Sequence, residues 1–200
     1  MPFMSKKQKV RVTRRQAREW ALQMLCLADL NPGEDLDSMI ETFWNEMLSM
    51  KREEEEERAL DAARNPLSVI RWEEAETPRA KSSESIDHVC PPPLRVFAET
   101  RVRGVVNDLA ATDKAIEQYA EHWAVYRMGT VERNVLRLAY FELRDCPDVP
   151  APVVLNEAID LAKYFSNTNA GRFVNGILDK MRLDLRKEEA GKPRPLPKKR

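Results

Sequence analysis

A chain of 200 residues with a formal net charge of zero can bury one substantial core, and its bulk charge selects no partner. Three cysteines (Cys26, Cys90 and Cys146), far apart and without a CxxC pair, exclude a disulfide framework and a zinc site and fit a reducing compartment. No apolar run reaches the roughly 18 residues of a membrane span, and the basic N-terminus lacks the apolar stretch of a signal peptide, so the expectation is a cytoplasmic protein.

The chain opens on a flexible basic arm, residues 1–12. From Met1 to Arg18 there are seven bases and no acid, an electrostatic footprint suited to a polyanion. The first helix is predicted to begin at Thr13. Thr13-Arg14-Arg15-Gln16 fits a capping box, in which a hydroxyl and a Gln side chain satisfy exposed backbone donors. Ala17, Ala21, Met24, Leu25 and Ala28 then recur at helical spacing, and Pro32-Gly33 ends the segment. The second helix follows the same rule through Leu36, Met39, Ile40, Phe43, Trp44, Met47 and Leu48. It runs into Lys51–Arg58, an acidic run with nothing to offer a core, read as a solvated helix extension.

Residues 51–93 read as an acidic insertion. Its second half, punctuated by Asn65-Pro66, Thr77-Pro78 and Pro91-Pro92-Pro93, reads as loop or partly disordered, with Ile70 and Trp72 as local anchors. A third helix is predicted after the prolines, with Leu94, Phe97, Ala98, Val102, Val105, Val106 and Leu109 on one face. Thr112 is the expected N-cap of a fourth, carrying Ile116, Tyr119, Ala120 and Trp123. Gly129-Thr130 opens a fifth, apolar on most sides and therefore central. Pro152 suits the first turn of a sixth helix, where its missing N–H costs nothing. Ser166–Asn169 forms a polar turn before the seventh, with Phe173, Val174, Ile177, Leu178, Met181 and Leu185 as its apolar stripe. Gly176 sits mid-helix, a destabilising place, and is read as permitting close approach of another helix. Residues 188–200 read as a disordered basic tail. No strand alternation or internal repeat is present. The fold class is all-α: a single bundle of about seven helices over residues 13–187.

Catalytic and metal chemistry find no foothold. His88 and His122 stand at no metal-ligand spacing, and no Gly-rich phosphate loop, HExxH or GxSxG occurs. The chain is read as non-catalytic, with no metal and no cofactor. Two features point elsewhere. Arg14, Arg15 and Arg18 load the start of the first helix, where the macrodipole disfavours cations and the Arg14–Arg18 pair repels; Arg15–Glu19 offsets this in part. Such an end suits phosphate, the plain alternative being a basic solubilising terminus. Arg172-Phe173 opens the last helix. Phe173 reads either as core or as a half-exposed stacking surface for a base, with Arg172 on the backbone.

Several blocks together resemble the NusB family of transcription antitermination factors. They are Arg14-Arg15-Gln16-Ala17-Arg18-Glu19, the stretch Arg133–Leu143, Asp148-Val149-Pro150 with Asn156–Lys163, and Phe173-Val174-Asn175-Gly176-Ile177-Leu178-Asp179. The resemblance covers about residues 13–30 and 94–187. It implies an all-helical fold, binding of boxA-type RNA in nascent ribosomal RNA transcripts, and a heterodimer with NusE, a small-subunit ribosomal protein, in an RNA polymerase antitermination complex. A homodimer stays open. It further implies that Arg14, Arg15 and Arg18 contact RNA, with Arg172 and Phe173 nearby, and that Glu132 contacts NusE. Asn169-Ala170 departs from the family's usual Asp-Ser, removing a negative charge near the implied RNA surface. Two other readings remain at this stage: a helical protein-interaction module, and the NusB-like domain of an RNA cytosine methyltransferase.

Overall fold

The computed structural model describes residues 13–64, 87, 90–121 and 123–190. These form seven α-helices: α1 (Arg14–Leu30), α2 (Leu36–Arg64), α3 (Pro92–Asn107), α4 (Leu109–Tyr119), α5 (Thr130–Asp145), α6 (Ala151–Phe165) and α7 (Thr168–Ala190), with a short 3₁₀ turn at Val125–Arg127. The expected basic arm, the loop from 65 onward with Ile70 and Trp72, both histidines and most of the basic tail lie outside the described residues. Among the described residues no helix is long and apolar enough to cross a membrane.

Local chemistry sets the helix ends. The Thr13 hydroxyl accepts the Gln16 N–H at 3.5 Å, as the capping pattern predicts. Gly33 takes φ 101° in the turn after α1, a conformation that only glycine adopts without cost. Asp35 accepts the Ser38 N–H at 2.9 Å at the start of α2. Pro92 and Pro93 occupy the first turn of α3. The Asn167 carboxamide accepts the Asn169 and Ala170 N–H groups at 2.9 and 3.1 Å and starts α7.

Three boundaries differ from expectation. α3 and α4 are broken at Asp108, not before Thr112, so Leu109 opens α4 and Thr112 lies inside it, 1% exposed. Asp108 is held there by Arg144, whose Nη1 donates to it at 2.6 Å, an interaction between distant residues. Trp123 lies beyond α4 in the linker rather than on the helix, and it is 53% exposed. At the far end α7 continues to Ala190, so the first residues of the expected tail are helical.

α5 is central, as its apolar character predicts. It packs against α1, α3, α4, α6 and α7, and α6 packs closely on α7. Val135, Leu136, Leu138 and Ala139 of α5 are buried with Ala17, Met24 and Leu25 of α1, Val102 and Val105 of α3, and Leu161, Leu178 and Met181 of α6 and α7. α2 joins through its first three turns: Met39, Ile40, Phe43 and Trp44 are buried. Trp44 stands edge-on to Trp20, centroids 5.5 Å apart, and its indole donates to Glu99 at 2.9 Å. From Ser49 to Asp61 every residue of α2 is exposed, the solvated extension expected of Lys51–Arg58.

Candidate nucleic-acid interface

The first turn of α1 contains no acidic residue. Arg14 and Arg15 are exposed there. The Arg15 side chain, 44% exposed, reaches Asp160 of α6 at 3.2 Å and Glu19 at 3.5 Å, so the pairing with Glu19 is present. Both contacts are solvent-exposed and therefore weak, which leaves the guanidinium available to a stronger anion.

Arg18 is different. It is 4% exposed, which corrects the expectation that all three arginines offer themselves at the surface. Its Nε donates to both oxygens of Glu142, at 3.1 and 2.9 Å. Arg101 of α3 donates to the same carboxylate and to the Phe97 carbonyl at 3.1 Å. Glu142 is 1% exposed and Arg101 5%. Two buried guanidiniums thus share one buried carboxylate. Glu157 adds a second, looser partner to Arg18 at 4.0 Å.

Phe97 joins this cluster to the surface. Arg101 lies 3.2 Å from its ring centroid, Arg18 5.3 Å and Arg14 5.6 Å. The ring's negative face attracts cations, and here it gathers three. The exposed Arg14 is thereby tied to a rigid, buried base. Preorganisation of this kind lowers the entropy lost when a long side chain binds a ligand.

Arg172 and Phe173 sit at the start of α7, where the first turn again lacks an acid. Arg172 is exposed and Phe173 half-buried. Phe173 packs on the core edge and stands edge-on to Trp123, centroids 6.2 Å apart. Both readings of Phe173 are therefore partly met. Arg127 lies 5.9 Å from the Trp123 ring, and Tyr126 beside it is 80% exposed. α6 links the two groups of site residues: Asp160 meets Arg15, and Lys163, one turn on, leans against Gly171 beside Arg172. Asn169 is exposed at this helix start, and Ala170 is buried. With no acid in its first turn, α7 presents a positive end.

Glu132 lies half-buried in the first turn of α5 and accepts the Ser166 hydroxyl at 2.8 Å. A second, partly buried network holds the other end of α1. Arg137 donates to Asp29 at 2.8 Å and to both oxygens of Asp113 at 2.7 and 2.8 Å. Arg133 and Asn134 donate to Asp29 at 2.5 and 3.0 Å. These bonds fix α1, α4 and α5 together.

Sequence reasoning missed Phe97, Arg101 and Glu142 as supports of the arginine surface. A signal existed: Glu142 falls seven residues after Val135 and four after Leu138, on the core stripe of the most apolar-faced helix. A carboxylate there demands buried cations. Gly176 is also corrected. No neighbouring atom of the described residues lies within 4 Å of where its Cβ would stand, so none of the described helices approaches it. Gly104 plays that role instead, since a Cβ there would clash with the Phe141 ring.

The NusB family model matches residues 67–182. A transcription antitermination protein NusB of Desulfatibacillum aliphaticivorans is 44% identical over 111 residues, covering 53% of this chain and 78% of that protein. T. maritima NusB has a solved structure similar at TM-score 0.62 with 26% identity, covering 87% of this chain and 93% of that one. A crystal structure of the antitermination factors NusB and NusE in complex with dsRNA matches at TM-score 0.58 and 22% identity, covering 86% and 96%. At that identity the last match speaks for the fold alone. Helix order, arginine-headed α1 and family match agree: the chain belongs to the NusB family.

Proposed function

We propose that this chain binds boxA-type RNA in nascent ribosomal RNA transcripts together with NusE, as part of an RNA polymerase antitermination complex. One observation carries the reading: Arg14 and Arg15 stand exposed at a helix N-terminus, one of them anchored by a buried Arg–Glu–Arg cluster through Phe97. Exposed cations at a positive helix end cost stability, and a phosphate backbone is the ligand that repays it. Arg18 acts from below as a positioning residue. Arg172 and Phe173 extend the surface across α6, the ring offering an edge for base stacking. Glu132 is the residue proposed to meet NusE. Membership of the NusB family supports this reading, and the same fold occurs in a NusB solved together with NusE and dsRNA.

The test is a titration of boxA-type RNA with the full chain, with and without NusE, across a series of salt concentrations. Nanomolar-to-micromolar affinity is expected, tightened by NusE and falling steeply with salt as counterions are released. Phe173→Ala should weaken binding by about 1–3 kcal/mol, and Glu132→Ala should reduce the gain from NusE. No binding in dilute buffer with NusE present sinks the reading.

A further inference from the structure

The core side of α7 is closed: Val174, Ile177, Leu178 and Met181 are buried. On its opposite side Arg172, Gly176 and Lys180 are exposed, each one turn from the next. Glycine in a helix interior is destabilising relative to alanine. Two structural reasons can retain one, a positive φ or a close neighbour. Gly176 has neither, because its φ is not positive and the described residues leave its Cβ position open to 4 Å. Gly171, on the same helix, is by contrast pressed by Lys163. Among the described residues nothing uses the gap at Gly176, which leaves the bare backbone open to a partner approaching from outside.

The flanking charges identify the visitor. Cations stand four residues before and four after the gap, and the half-exposed Phe173 ring borders the same face. Asp179, beside the row, is engaged by the Asn175 amide at 3.2 Å and by Arg182 at 3.8 Å. Lys180 meets Glu121 at 2.5 Å, but the two side chains are 49% and 81% exposed, and a surface pair of this kind gives way readily to a polyanion. Asp184, one turn past Lys180, marks the end of the positive run.

We propose that a single-stranded RNA backbone crosses α7 at Gly176, its phosphates held by Arg172 on one side and Lys180 on the other. This rests on the RNA-binding reading above and extends the track beyond Phe173. The missing side chain lets the strand lie against the helix, and any Cβ branch there would lift it off the two cations.

Gly176→Ala and Gly176→Leu test this, because open space at the site lets both fold. Urea unfolding of Gly176→Ala should move to higher denaturant, while Gly176→Leu should raise the Kd for boxA-type RNA by about tenfold or more. Lys180→Gln should lower the salt slope by about one phosphate contact. A folded Gly176→Leu that binds RNA like the parent overturns the proposal. So does a variant that keeps RNA affinity and loses NusE, which would make the face a protein interface. If the parent chain binds no RNA at all, the failure belongs to the functional reading, and this inference falls with it.

Discussion

Replacing Glu142 with Gln removes the only full negative charge that two deeply buried guanidiniums share. Arg18 is 4% and Arg101 5% exposed, so water cannot take over from the carboxylate. An amide keeps the volume but accepts with one oxygen and turns an NH₂ donor toward a donor. Breaking a buried pair by deleting one partner costs about 3–5 kcal/mol, and this variant falls in that range, since Arg18 keeps only the looser Glu157 at 4.0 Å. That is a large share of the roughly 5–15 kcal/mol of a typical domain. With a urea slope of about 1–3 kcal/mol per molar, the unfolding midpoint should drop by roughly 2 M. Arg18→Met should cost less, about 1–3 kcal/mol, because Glu142 keeps Arg101. Equilibrium urea unfolding of both variants checks the ordering. A Glu142→Gln protein within about 1 kcal/mol of the parent, or equal losses in the two variants, would refute a shared, desolvated carboxylate.

Acid should loosen the partly buried Asp29 network. Burial works to raise the Asp29 carboxyl, but hydrogen bonds from Arg137 and Arg133 outweigh it and hold the group below the usual carboxylate range. A depressed native value contributes stability that is whole above the unfolded value near 4 and is lost as pH falls through the native one. Melting temperature should therefore fall on acidification below about pH 4, and Asp29→Asn should flatten that dependence; identical pH slopes would contradict it. Gly104→Ala should destabilise by about 1–3 kcal/mol, despite alanine's better helix propensity, because its Cβ would meet the Phe141 ring. An unchanged thermal midpoint would show that the ring moves aside freely.

Periodicity made most of the bundle legible. The stripe Leu36–Leu48 and the apolar character of Val131–Leu143 place α2 and the central α5 correctly, because burial is written locally at helical spacing. What escaped was written over long distance. Arg18 reads as one of three like arginines until its partner, 124 positions away, is seen. Phe97 reads as ordinary core until three guanidiniums are found on its ring. The Asp108–Arg144 contact at the break between α3 and α4 joins distant residues, which no local rule anticipates. Gly176 misled for the opposite reason: propensity says that a mid-helix glycine needs a neighbour, and only the packed structure shows that α7 has none there among the described residues.

Arg14 separates what the fold needs from what a ligand needs. At the first position of α1 a cation meets the positive helix end, at about 0.3–1 kcal/mol, and repels Arg18 by roughly 0.2–0.5 kcal/mol. Against this, its guanidinium stands 5.6 Å from the Phe97 centroid, a contact worth about 0.5–1 kcal/mol at an exposed site. The terms nearly cancel, so Arg14→Gln should leave the thermal midpoint close to that of the parent. Its RNA-binding isotherms should nevertheless lose about one phosphate contact from the salt slope. An unshifted slope with a lowered midpoint would mean that Arg14 serves Phe97 and the fold. An unshifted midpoint with a reduced slope means that the charge at Arg14 is carried for the polyanion.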